Sequence, residues 1–289
     1  MKALNIVVGA TGQVGATLTS ELKRMAIPVR GVIRDPNKHF DKTIETKTAD
    51  VFDVDQVTAA FKGGTTVFLI TPENPASDDI IGDTEQIVSN YREAVRRAGI
   101  KKIIGLSCIG AHHGGNTGNI LMSRILEQGF HDVDVEKIFV RPSYYFSNWL
   151  GYMETVKQYG VIPSFFPEEL KIEMHSPIDL AKFIANIIAD RSPIKGNNIY
   201  ELVGPQKYSS IEVASAFSKI LNKKIAVQTI PKENWKETLL SAGFTENTAS
   251  NLADMTQAVI DHKTNPERPN DTIKLPTSLQ NYLQEQIGS

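Results

Sequence analysis

Three glycines within seven residues carry the clearest chemical signal in the chain. Val7-Val8-Gly9-Ala10-Thr11-Gly12-Gln13-Val14-Gly15 sets them at G-x-x-G-x-x-G spacing, between a β-branched apolar run and a helical pattern. Gly9 permits a tight turn off a strand, and Gly12 lets backbone approach a pyrophosphate without a Cβ in the way. Gly15 lets the following helix pack closely on a sheet. A helix opening near Gln13 would aim unpaired N–H groups and the positive end of its dipole at an anion. The spacing therefore predicts a dinucleotide cradle built from Gly9, Thr11, Gly12, Gln13 and Val14.

A second signal follows at Val29 to Ile33, a strand-like run that ends in Arg34-Asp35-Pro36-Asn37. An acid at such a strand end takes the ribose diol of NAD, whereas a guanidinium suits the 2′-phosphate of NADP through charge-assisted bonds. Arg34 favours NADP(H) over NAD(H); Asp35 is the residue that would reverse the preference. Further along, His112 and His113 lie in a glycine-flanked loop where a histidine can move a proton. Tyr144, Tyr145, Trp149, Phe165 and Phe166 could line an aromatic pocket, and core packing accounts for them equally well. The lone cysteine, Cys108, reads as packing rather than nucleophile. His39, His131, His175 and His262 are scattered without ligand spacing, so no metal site is expected.

These residues need a scaffold, and the chain supplies alternating elements. Strands are expected at Ala3 to Val8, Val29 to Ile33, just before Thr48-Ala49-Asp50, at Thr66 to Ile70, Ile103 to Leu106 and Lys137 to Val140. Helical spacing links them: Val14, Leu18, Leu22 and Met25, then a helix capped by Asp53 through Phe61, then 82–98 and 118–128. Such alternation predicts an α/β fold, a doubly wound parallel (Rossmann) sheet with a smaller C-terminal substrate lobe. Residues 1–149 make the dinucleotide-binding core. Residues 150–289, with a helix at Ile178 to Ile188, strands at Ile199 to Val203 and Ile225 to Ile230, and helices near 209–221, 232–242 and 246–262, partly complete the sheet and partly form a substrate or partner lobe.

Composition sets outer limits. The 289 residues carry 31 Lys and Arg against 33 Asp and Glu, a net charge of −2 that gives no reason to expect nucleic acid or an anionic membrane as partner. No run of 18 apolar residues exists to span a bilayer. One cysteine and no apolar leader suit a reducing, cytoplasmic setting.

Gly-Ala-Thr-Gly-x-x-Gly, Val-Ile-Arg-Asp-Pro, Ala-Asp after strand three and Thr-Pro after strand four together resemble the NmrA-like family of atypical short-chain dehydrogenases. Arg141-Pro142-Ser143-Tyr144-Tyr145-Phe146-Ser147-Asn148 and His175-Ser176-Pro177-Ile178-Asp179-Leu180-Ala181 extend the likeness to about residue 230. The resemblance implies that Asp50 binds the adenine amino group, that Thr71 lies along the cofactor and that Ser107 sits near the nicotinamide. The family includes NADPH-dependent quinone and azo-compound reductases and a transcriptional co-regulator that binds dinucleotide. Its broader relatives use Tyr-x-x-x-Lys, in which lysine lowers the phenol pKa. No tyrosine here has lysine four residues on, and Arg124 stands in the helix where many relatives carry lysine. Arginine does not give and recover a proton near neutral pH. His113, Tyr144 and Tyr145 are the remaining acid candidates. Two functions follow: an oxidoreductase acting on a small quinone-like or aromatic acceptor, or an NADP(H)-sensing regulator with a protein partner.

Overall fold

The computed structural model describes residues 3–38, 40–190 and 198–288; His39 lies outside them. Its centre is an eight-stranded parallel sheet. The strands of the first half are β1 (Asn5–Val8), β2 (Val29–Ile33), β3 (Glu45–Thr48), β4 (Thr66–Leu69), β5 (Lys102–Leu106) and β6 (Glu136–Pro142), and the helices between them are α1 (Gln13–Arg24), α2 (Val54–Phe61), α3 (Ile80–Ala98) and α4 (Ile120–Gly129). The later chain adds β7 (Tyr144–Tyr145), α5 (Met153–Tyr159), β8 (Val161–Ser164), β9 (Ile172–His175), α6 (Pro177–Ile188), β10 (Ile199–Val203), β11 (Lys207–Tyr208), α7 (Ser210–Leu221), β12 (Ala226–Thr229), α8 (Trp235–Ser241), α9 (Glu246–Ile260), β13 (Ile273–Lys274) and α10 (Leu279–Ile287).

The sheet order is β3-β2-β1-β4-β5-β6-β10-β13, so the winding reverses between β1 and β4. β1 pairs in parallel with both neighbours, Asn5 facing Val29 on one side and Thr66 on the other. Ligands of open α/β sheets bind at the carboxyl edge of such a switch point. The central strands β1 and β4 are buried along their whole length because helices cover both faces, whereas the edge strand β3 is polar and exposed. Ile6, Val8, Val67, Leu69 and Ile103 pack with Phe61, Ile87, Tyr91 and Leu126 of α2, α3 and α4. The intervening Val7, Phe68 and Ile104 point the other way, onto Leu18 and Leu22 of α1 and Leu180 and Ile184 of α6.

The second half contributes β10 and β13 to the main sheet and builds a lobe from the rest. In the lobe β9 lies between β7 and β11, β8 pairs with β12, and a third apolar cluster gathers Phe146, Trp149, Phe217, Leu279 and Tyr282. The expected strand at Ile225 to Ile230 is therefore a lobe strand, Ala226–Thr229, and not part of the main sheet. The helix expected at 232–242 divides into a 3₁₀ turn, Lys232–Asn234, and α8. Sharp caps fix several starts: the Asp53 carboxylate accepts from the Asp55 and Gln56 N–H groups, and Ser209 with Glu212 forms a capping box on α7.

Leu18 is wholly buried between α1 and the sheet. Leu18→Ala is expected to cost about 2–5 kcal/mol in urea denaturation, the range for a buried leucine whose site collapses incompletely. A loss below about 1 kcal/mol would mean that α1 is not docked as described.

Candidate cofactor and acceptor site

The glycine turn forms where β1 meets α1. Gly9 has φ +69°, and a Cβ there would stand 2.3 Å from Ile70 Cδ1. At Gly15 a Cβ would come within 2.2 Å of the Gly9 carbonyl oxygen, so this position demands glycine for close packing. The Gly12 N–H donates to Gly9 O at 2.8 Å and closes the turn. As the N-cap of α1, Gly12 brings no side chain to the first-turn N–H groups, and no acidic residue stands in that turn. The end of α1 is thus an uncapped positive pole, the arrangement an anion would complete.

That pole opens into a cavity of about 690 Å³ along the carboxyl edge of β1, β4, β5 and β6. Gly9, Gly12, Gln13 and Val14 line one end. Thr71, Ser107 and Cys108 lie at the strand ends, and Tyr144, Tyr145, Trp149, Phe165 and Phe166 from the lobe line the far wall. The volume lies within the usual range for cofactor and small-molecule sites. The structure therefore brings most of the expected residues together around one space: the glycine turn, Thr71, Ser107 and both tyrosines.

Thr11, Arg34, Asp50 and His113 are not among the cavity walls. Arg34 is exposed immediately after β2 and makes no hydrogen bond or ion pair among the described residues. Asp35, its rival, accepts from the Asn37 N–H at 2.9 Å and is occupied in its own turn. Asp50 is exposed after β3; its carboxylate accepts from the Phe52 N–H at 3.0 Å, and its own N–H donates to Gln56 Oε1. Arg34 and Asp50 thus follow the carboxyl ends of β2 and β3, the two strands next in order after β1. Ser107 is buried and donates to Glu127, which also receives Arg141 Nε at 2.8 Å and Nη2 at 2.7 Å. The His113 ring rests against His112 at 4.0 Å between centroids. Arg124 Nη1 donates to the Ala111 and His112 carbonyls, which pins this loop, and the Arg124 side chain is not a cavity wall.

Burial governs the acid–base character of the walls. It pushes the Tyr144 and Tyr145 phenols above their ordinary pKa and the Cys108 thiol up to about 11. It drives the fully buried His175 down to about 3, with Nδ1 held 3.1 Å from Ser143 Oγ. Among the described residues no lysine or arginine lines the cavity. Two wall residues escaped the sequence reading. Glu73 follows the Thr71-Pro72 stop of β4, and its proximity to that stop was its only signal. Asn119, at the start of α4, is buried with neither polar atom of its amide bonded. Away from the cavity, His112, Glu201 and Glu267 bring possible metal-ligand atoms within 4.8 Å of one another. Arg141 pairs with both carboxylates of this cluster, 2.6 Å from Glu267 and 3.6 Å from Glu201.

A parallel sheet wound in opposite directions from β1, with an uncapped glycine turn at the reversal, defines a Rossmann-type α/β protein. The NmrA-like family is matched over residues 1–283, and the chain belongs to that family. It is 24% identical over 257 residues to the NAD(P)H azoreductase of Xenophilus azovorans, covering 86% of this chain and 85% of that one. Among solved structures, a nucleoside-diphosphate-sugar epimerase from Staphylococcus aureus superposes with a TM-score of 0.80 at 20% identity, covering 98% and 100% of the two chains. The NADPH complex of an Escherichia coli NADPH-dependent quinone oxidoreductase superposes with a TM-score of 0.76 at 20% identity, covering 98% and 99%. At these identities the structural likeness establishes the fold.

The Cys108 thiol, raised to about 11 by burial, is protonated at neutral pH. In the native protein it is expected to resist iodoacetamide at pH 7.5, with alkylation accelerating as pH rises toward 11, and to react readily once the chain is denatured. Rapid native alkylation at pH 7.5 would contradict the raised thiol pKa.

Proposed function

We propose that this protein is an NADPH-dependent oxidoreductase that reduces a small, planar, quinone-like or aromatic acceptor. The observation that carries the reading is one continuous cavity, with the uncapped end of α1 at one side and an aromatic wall at the other. The pyrophosphate would lie over the Gly12 backbone against the N–H groups of Gln13 and Val14, with Thr11 beside them in the turn. The unpaired Arg34 would take the 2′-phosphate, and Asp50 would meet the adenine. Thr71 would flank the cofactor, and the strand end at Ser107 would support the nicotinamide ring. When bound, the dihydronicotinamide supplies the hydride. The azoreductase relative and the quinone oxidoreductase complex support a small acceptor and NADPH as the donor.

A regulatory, dinucleotide-sensing role is the second reading. Its specific support is the cavity wall itself, which among the described residues holds tyrosines but no lysine to lower a phenol pKa. NADPH oxidation against a panel of quinones, azo dyes and aldehydes separates the two. Turnover of at least one acceptor class supports the reductase; tight NADPH binding with no turnover across the panel supports the sensor.

Two substitutions test the cofactor assignment. Gly12→Val should abolish NADPH binding in calorimetric titration while circular dichroism stays native, because a branched side chain fills the anion's approach. Unchanged affinity would remove the cradle. Arg34→Ala should weaken NADPH about ten- to a hundredfold and NADH little, the effect of losing one charge-assisted contact. Equal weakening of both cofactors would show that Arg34 does not read the 2′-phosphate.

A further inference from the structure

An asparagine at a helix start ordinarily spends its side chain on the first-turn N–H groups. Asn119 does not. It stands at the N-cap of α4 with its backbone already helical, φ −60° and ψ −14°, and its side chain makes no cap hydrogen bond. The residue is 5% exposed, and neither Oδ1 nor Nδ2 has a hydrogen-bond partner. Glu73 lies close to the amide but outside hydrogen-bonding geometry. Other polar groups on the cavity wall are already bonded: Ser107 to Glu127, Ser143 to His175 and Ser164 to Ser210. Of the described residues on that wall, Asn119 alone carries buried polar side-chain atoms without a partner. Such an amide costs the desolvation of both its atoms unless a ligand completes it.

The fold fixes where this amide stands. The turn before α4 is pressed against α9: a Cβ at Gly118, where φ is +55°, would overlap the Asn251 carbonyl oxygen and stand 2.6 Å from Met255 N. Glycine lets the two backbones approach this closely. The approach seats Asn119 beside α9, whose Leu252 and Met255 line the same cavity from the lobe side. The amide therefore belongs to the part of the wall where lobe and strand ends meet.

We infer that Asn119 is an acceptor-binding residue, its Nδ2 donating to the carbonyl oxygen or azo nitrogen on which charge gathers during reduction; this rests on the reductase reading above. The last torsion of an asparagine is broad, so the amide can swing from its closed position onto a ligand. In the step itself the acceptor takes a hydride, the electron pair of a dihydronicotinamide C–H bond. The displaced π pair moves onto the oxygen or nitrogen held by Asn119, and water supplies the proton that neutralises it. The acceptor gains two electrons and the nicotinamide loses them. A donor fixed where that charge appears acts more strongly on the transition state than on the ground state, so it raises rate more than affinity. It also sets specificity. A flat ring with no oxygen or nitrogen within reach would fill the aromatic wall and leave the amide unpaired.

Asn119→Leu replaces the amide with an apolar side chain of similar size, and two readouts test the assignment. In the cofactor-free protein the urea midpoint should equal or exceed that of wild type, because an unpaired buried amide has been removed. An asparagine that serves the fold would lower it. With saturating NADPH and the fastest quinone or azo acceptor, kcat should fall about 10²–10³-fold, the usual loss of one such donor, with NADPH affinity in calorimetric titration unchanged. Asn119→Gln, which restores an amide N–H, should turn over about tenfold faster than Asn119→Leu. A lowered urea midpoint, or an Asn119→Leu kcat within about tenfold of wild type, would overturn the assignment and leave the reductase reading in place. NADPH affinity falling in step with kcat would give the amide to the cofactor and overturn it too. No wild-type turnover of any acceptor would remove both.

Discussion

The site depends on a helix start left without a cap. A helix N-terminus carries several N–H groups with no intrahelical acceptor, and most helices of this chain satisfy them with a side chain: Asp53 on α2, Asp79 on α3, Ser176 on α6, Ser209 on α7. α1 begins instead at glycine, with no acidic residue nearby. Three constraints maintain that opening. Gly9 must adopt a left-handed backbone under Ile70, Gly15 must let α1 approach the Gly9 carbonyl, and Leu18 and Leu22 must hold the helix against the sheet. The parallel order around β1 then sets the helix end at the only kind of edge where strands diverge.

A second organising feature ties the late chain to that edge. Arg141, at the end of β6, is almost wholly buried and meets Glu127 of α4, Glu201 of β10 and Glu267 beyond α9. Glu201 also accepts from the Glu267 and Arg268 N–H groups at 3.0 and 2.9 Å. Buried charges survive only when paired and hydrogen-bonded, and removing one partner leaves the others uncompensated. The cluster thus fastens the segment after α9 to the sheet, and through Ser107 it reaches the cavity floor. The start of α9 holds the segment between β4 and α3, where Thr248 Oγ1 donates to Ser77 O at 3.2 Å and Asn247 Oδ1 accepts from the Ile80 N–H at 3.0 Å, so one helix braces two sides of the site.

Much of the first half was legible in the sequence because its central strands are buried on both faces and read as short β-branched apolar runs, and β2 begins and ends where Val29 to Ile33 predicts. The exposed edge strand β3, Glu-Thr-Lys-Thr, carries no such run. The glycine turn was legible for a stronger reason, since steric demands at Gly9 and Gly15 leave no other residue type. The lobe was harder to read. β7 and β11 are two residues each, and β8 carries Pro163 in a two-stranded pair, so these strands exist through tertiary pairing rather than propensity. Ser107 is tied to Glu127, 20 residues away, a distance along the chain that no local pattern reports. Glu73 looked like the tail of a strand stop, and only the closing of α9 and the lobe over the switch point makes it a wall residue.

The most direct test of the central claim is a crystal structure of the protein with NADPH. The account predicts the pyrophosphate over Gly12 against the N–H groups of Gln13 and Val14, the 2′-phosphate beside Arg34, and the nicotinamide ring in the cavity between the end of β5 and Tyr145. A dinucleotide bound elsewhere, or none at saturating concentration, would contradict it.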